Sequence, residues 1–131
     1  MSELFTISVD KTKRLVQLCL VGSWVEKDTR DLLRALEDAV QRLGVGAPWY
    51  LLVDARRWSV QSPEVQAGIA RCMQHNISKG LARTARLGGA PIATMQLGRL
   101  ARENRVVHRV FAVEFDAFQW LFSGDDPKDS P

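Results

Sequence analysis

The sequence has little of what reactive sites are usually built from. It holds two cysteines and two histidines in 131 residues. Cys19 and Cys72 lie in apolar patterns with no CxxC or Cys/His spacing, so both read as reduced core residues rather than a disulfide or metal pair. His75 and His108 stand far apart and form no HExxH-type spacing. There is no Walker sequence and no nucleophile elbow. Gly88-Gly89 before Pro91 is too short for a phosphate-binding fingerprint. Enzymatic chemistry therefore has no motif to rest on, and no metal or cofactor is expected.

Long apolar runs are missing as well. None approaches the roughly 20 residues that a membrane-spanning helix needs. The opening "MSELFTISVDKTKR" carries Glu3 and lacks the apolar centre of a secretory signal. A cytoplasmic, bacterial-type protein is expected. No internal repeat or low-complexity segment interrupts the chain.

What is present is the composition of an ordinary water-facing domain, 46% hydrophobic and 25% charged. One core suits this length, and a single domain over residues 1–124 is expected. The net charge of +3 is modest but uneven. Lys79, Arg83, Arg86, Arg99, Arg102, Arg105 and Arg109 face one acid, Glu103, in the stretch they span. The end, "DDPKDSP", is acidic and reads as a flexible tail over residues 125–131.

Hydrophobic patterning orders the elements. "LFTISVD" alternates as a half-buried strand does, and "RLVQLCLVGSW" is rich in β-formers. Only "DKTK" separates them, so they pair as an antiparallel hairpin. "EKDTRDLLRALEDAVQRLG" is a helix whose Leu32, Leu33, Leu36, Val40 and Leu43 share one face. "WYLLVDA" is a near-continuous apolar run, the pattern of a strand buried on both faces. Ser62-Pro63-Glu64 opens a second helix carrying Val65, Ile69, Cys72, Met73 and Ile77. "LARTARLGG" is a weaker strand with Leu81, Ala85 and Leu87 inward. A third helix over "ATMQLGRLARENR", a strand over "VVHRVFAV" and a short helix over "EFDAFQWLFSG" complete the chain. The order β-β-α-β-α-β-α-β-α specifies an α/β fold. Its sheet is mixed and mostly parallel, with five strands, an antiparallel N-terminal hairpin and about four helices.

"LVGSW" before the first helix, "LLVDARRWS" with Asp54, and the C-terminal "VFAVEFDAFQWL" together resemble the STAS domain of bacterial anti-sigma-factor antagonists. The chain is similar to the small STAS-like proteins grouped with CRAL-TRIO (Sec14-like) lipid-binding domains. The resemblance runs from about Leu4 to Phe122. It implies a regulatory or binding module rather than an enzyme. In the phosphorylated antagonists an Asp-Ser step carries the acceptor serine. Here the region reads "VQSPEV", where Ser62 stands nearest that position but follows Gln61 and precedes Pro63.

The segment from Asp54 to Pro63 holds the densest set of candidates. Asp54, at the carboxyl end of a buried strand, lies where open α/β sheets bind ligands, and it can equally organise its own turn. Arg56, Arg57, Trp58 and Ser59 read as a partner-binding loop, or as a loop whose Trp58 folds back over the core. Ser62 is a candidate phosphoacceptor, although helix capping accounts for it without modification. Arg99, Arg102, Arg105 and Arg109 are candidate contacts for anionic headgroups or phosphates; no motif for reading nucleic acid accompanies them. Two functional readings follow. One is a module that binds a protein partner through the loop after the third strand and the following helix. The other is a small-ligand or lipid-binding module with Phe115, Phe118, Trp120 and Phe122 lining an apolar pocket. A homodimer through an edge strand or a face bearing Trp24, Trp49 and Trp58 is a further expectation.

Overall fold

The computed structural model describes residues 4–44 and 46–124. The acidic tail expected over residues 125–131 lies outside them. Strands β1 (Phe5–Asp10) and β2 (Leu15–Gly22) form the antiparallel hairpin read from the sequence. Helix α1 (Glu26–Leu43) leads to β3 (Trp49–Trp58), α2 (Pro63–Ser78), β4 (Leu81–Leu87), α3 (Pro91–Glu103), β5 (His108–Phe111) and α4 (Glu114–Ser123). The five strands lie in one sheet in sequence order, and every pair after the hairpin is parallel. The expected fold class is the observed one.

Strand alternation divides the interior in two. Val16, Leu18, Leu20, Leu51 and Val53 point to one face, where α1, α2 and α3 cover them with Leu32, Leu36, Ile69 and Leu97. Leu15, Leu52, Ala85 and Leu87 point to the other face and pack against Ala117, Trp120 and Leu121 of α4. The central strand is therefore apolar on both faces, which is why "WYLLV" shows no alternation. On the α4 side the cover lies mainly over β3, β4 and β5 and reaches β2 at Leu15. Beyond Leu15, the β1–β2 part of that face is a groove bordered by Thr6, Ser8, Gln17, Cys19, Asp54 and Glu114.

Strand β3 runs three residues further than "WYLLVDA". Cys19 pairs with Asp54, but Val21 pairs with Arg57 and Gly22 with Trp58, so β3 spends one residue more than β2 across this interval. Such a bulge shifts the side-chain alternation by one. Arg56 and Arg57 are consequently both exposed, and Trp58 turns back to the three-helix side. The two arginines disguise the strand in the sequence, because a charged pair reads as the start of a loop. At the other end of the sheet, β5 is shorter than "VVHRVFAV", since only Thr84 to Leu87 of β4 offer it partners.

The helix signals are largely met. Ser62 accepts a hydrogen bond from Val65 N at 3.3 Å and Pro63 occupies the first helical position. Helix α3 starts at Pro91, two residues before the "ATMQ" start read from the sequence, because proline suits the first helical turn. Ile77 is the exception on α2: it is 39% exposed, and the buried side chain at that end is Asn76. No helix among the described residues is long and apolar enough to cross a membrane.

Candidate functional site

The carboxyl ends of β2 and β3 meet the starts of α1, α2 and α3 around one side chain, Gln61. It is 5% exposed. Its Oε1 accepts from Trp24 N at 2.9 Å, and its Nε2 donates to Gly22 O and Ser59 O, both at 2.9 Å. Its backbone joins the same network, with Gln61 N donating to Gln96 Oε1 and Gln61 O accepting from Gln66 Nε2 and Gln96 Nε2. A buried amide with its hydrogen bonds met rigidifies whatever it joins. Here it fixes the loop after β3 to the turn before α1 and to α3.

The chain neighbours of this network are apolar and exposed. Val25 follows Trp24, Val60 precedes Gln61 and Met95 precedes Gln96; they are 65%, 48% and 70% exposed. Val25 is also the N-cap residue of α1, and it has no side-chain acceptor to cap with. Its backbone N–H donates instead to Asp28 Oδ2 at 2.8 Å. Ser59 and Ser62 are exposed on the same loop. Sequence reading passed over Gln61, Val25, Val60 and Met95. The available signal was Val25, a β-branched residue at a helix start where Ser, Thr or Asp is preferred.

The residues singled out from the sequence separate. Asp54 is not at a strand end but inside β3, half-buried. It forms a two-pronged ion pair with Arg56, whose Nε and Nη2 donate at 3.0 and 2.8 Å. The hydrogen bond from Arg56 holds the Asp54 carboxyl below its ordinary range, and Asp54 in turn raises Arg56. Arg57 is exposed. Trp58 is 3% exposed and makes an edge-on contact with Trp24 at 5.6 Å between ring centroids, so it belongs to the core and not to a binding loop. Trp24 and Trp49 are 5% and 1% exposed. No tryptophan-bearing face exists for a second copy to use.

Of the C-terminal aromatics, Phe115, Phe118 and Phe122 border a shallow open depression on the outer side of α4, not a pocket beneath the helices. Trp120 is core and Phe118 packs partly against it, on the α4 side of the sheet. Phe115 and Phe122 are 73% and 42% exposed. An apolar cavity of about 70 Å³ lies on the opposite side beneath α1, α2 and α3. Two of the four arginines share one groove and two lie apart from it. Arg99 pairs with Glu103 and reaches Gln66, and with Arg102 it borders a groove beside α3. Arg105 sits beyond the helix end with a φ of 59°, while Arg109 lies over Phe111 on the α4 side. Cys72 is buried as expected, but Cys19 is half-buried and borders the open groove. Among the described residues no group of His, Cys, Asp or Glu is arranged to hold a metal.

No family model matches the sequence, and no curated protein matches it. Solved structures do. A crystal structure of an uncharacterized DUF3478-family protein with a SpoIIAA-like fold, from Shewanella loihica PV-4, superposes with a TM-score of 0.70 at 18% identity. The match covers 92% of this chain and 98% of that one. The fold is SpoIIAA-like. An anti-sigma factor antagonist from Mycobacterium paratuberculosis superposes with a TM-score of 0.58 at 14% identity, over 89% of this chain and 93% of that one. The STAS-like architecture read from the sequence is thus the architecture of the molecule. Within this SpoIIAA-like fold, the Gln61 network lies at the carboxyl ends of parallel strands, the edge where open α/β sheets generally bind.

Proposed function

We propose that the chain is a non-enzymatic regulatory module that binds a protein partner through the loop after β3 and the start of α2. The observation that carries this reading is the set of exposed apolar side chains, Val25, Val60 and Met95, held next to the buried Gln61 network. Exposed apolar residues on a rigid scaffold lose little entropy on binding, and burying them against a partner is favourable. Arg57, Ser59 and Ser62 form the polar part of the surface. Asp54 and Arg56 satisfy one another and set the position of the strand end. The superposition on an anti-sigma factor antagonist supports a protein-binding role.

Val25 strengthens the case from energetics. Ser, Thr or Asp at this N-cap would stabilise α1 by about 1 kcal/mol relative to an apolar residue. An exposed valine there serves neither capping nor the core. Ser62 adds a means of control. A phosphate on it would sit at the positive end of α2, a favourable place for an anion, and would put about two negative charges on the surface.

The test is affinity capture from native cell extract with quantitative identification of bound proteins. A partner enriched by the wild type and lost with Val60→Asp, at unchanged melting temperature, is the expected result. Capture unaffected by both Val60→Asp and Met95→Asp overturns the reading. Trp58→Ala is unsuitable as a probe, since emptying that core site costs about 3–5 kcal/mol.

A further inference from the structure

Arg86 stands in β4 between two buried apolar residues, Ala85 and Leu87, and is itself 5% exposed. A guanidinium in such a place is costly unless its charge is met. Among the described residues no carboxylate meets it. Nη2 donates to Thr94 O at 3.3 Å, and Nε is buried without a partner. Burial lowers its pKa, with no acid to oppose the shift, yet arginine keeps its proton in proteins. The site therefore contains an uncompensated positive charge.

A second guanidinium approaches it. Arg102, on α3, has no ion pair among the described residues, and the nearby Glu103 is engaged by Arg99. Gly98 of α3 shows where the two arginines meet. A Cβ on residue 98 would lie 3.4 Å from Arg102 Nη1 and 3.7 Å from Arg86 Nη2. The two cations thus converge over a residue with no side chain. Both border an open groove of about 510 Å³ between α3 and the strands β4 and β5, together with Thr94, Gln96, His108 and Arg99, the last already paired with Glu103. The exposed side chains of Ile92, Met95 and Val110 form its apolar rim. Like charges brought together repel, and an anion between them offsets that cost.

We propose that this groove binds a small phosphate-type oxyanion, held between Arg86 and Arg102. Guanidinium forks match the oxygens of a phosphate, and two of them can donate to one tetrahedral group at once. The floor supplies charge from a buried, fixed donor, and the mouth supplies a mobile one from Arg102. The apolar rim suits an organic substituent on the phosphate. Arg86 was among the basic residues visible in the sequence. Only its place on the three-helix side of the sheet distinguishes it from the others.

The experiment is calorimetric titration and thermal melting of the full chain at constant ionic strength, with inorganic phosphate and butyl phosphate as probes and chloride as control. Phosphate is expected to bind at one site and raise the melting temperature. Arg102→Gln, at an exposed position with no partner to lose, should weaken binding about tenfold or more, the loss of a charge-assisted hydrogen bond. Arg86→Met should abolish it. Tighter binding of butyl phosphate supports the site and assigns it to organic phosphates; equal binding supports it and assigns it to the free ion. No heat and no shift beyond chloride, or binding unchanged in Arg102→Gln, overturns the proposal. Val60→Asp, outside the groove lining, should leave phosphate binding intact, which distinguishes this site from the partner surface even though Met95 borders both.

Discussion

Thr29 of α1 occupies the space that a side chain at position 68 of α2 would need. A Cβ on Gly68 would overlap Thr29 Oγ1 and Cβ and come within 2.7 Å of Thr29 Cγ2. Both residues are buried, and Thr29 Oγ1 donates to Glu26 O at 2.6 Å, which fixes its side chain. The glycine therefore sets how closely the two helices approach.

Gly68→Ala is expected to destabilise the protein by about 1–3 kcal/mol, although alanine is the better helix former. Urea unfolding checks this. Adding Thr29→Gly should recover part of the loss, so that the double variant is less destabilised than the two single changes imply.

Gln61→Ala removes one side chain and leaves Trp24 N and Ser59 O without their partner, while Gly22 O keeps only the bond from Ser59 N. A loss of about 2–4 kcal/mol is expected, more than an exposed loop residue would cost. Amide exchange should accelerate at Trp24 in particular, since its N–H donates to that side chain.

Val25→Ser should act in opposite directions on stability and on binding. A serine hydroxyl can cap α1, so the unfolding free energy should rise by about 0.5–1 kcal/mol. Partner capture should fall at the same time. A variant that is more stable and binds equally well would remove Val25 from the interface.

Neither thiol should react quickly in the native state. Burial pushes Cys72 up to about 12 and, with the Asp54 carboxylate, raises Cys19 as well. The thiolate is the nucleophile, so little is present near pH 7.5. Cys72 Sγ also points to Thr29 O at 3.8 Å. Native labelling with a thiol reagent at that pH should be slow at both positions and complete after unfolding. Fast labelling of Cys19 would contradict its raised pKa.

Periodicity alone was enough for the order of elements, the hairpin and the apolar central strand, because burial on one or two faces leaves a repeat in the residues themselves. Capping chemistry likewise marked Ser62 and Pro63. The end of β3 was not legible. Arg56-Arg57 looks like a loop, and only pairing with β2 across the bulge shows that both arginines stay in the strand while Trp58 turns inward. The tryptophans misled for a related reason: an aromatic beside charged residues reads the same whether it faces water or the core.

The sequence by itself determined the α/β architecture and the helix start at Ser62-Pro63, since these follow from local propensity and from which faces need burial. Tertiary structure decided the sites. Gln61 gains its importance from partners 35 to 39 residues away, which no local pattern encodes. Arg86 and Arg102 converge only because α3 folds back over β4, with Gly98 leaving room between them. Fold arises from short-range repeats, whereas a site arises from side chains that the fold brings together from distant parts of the chain.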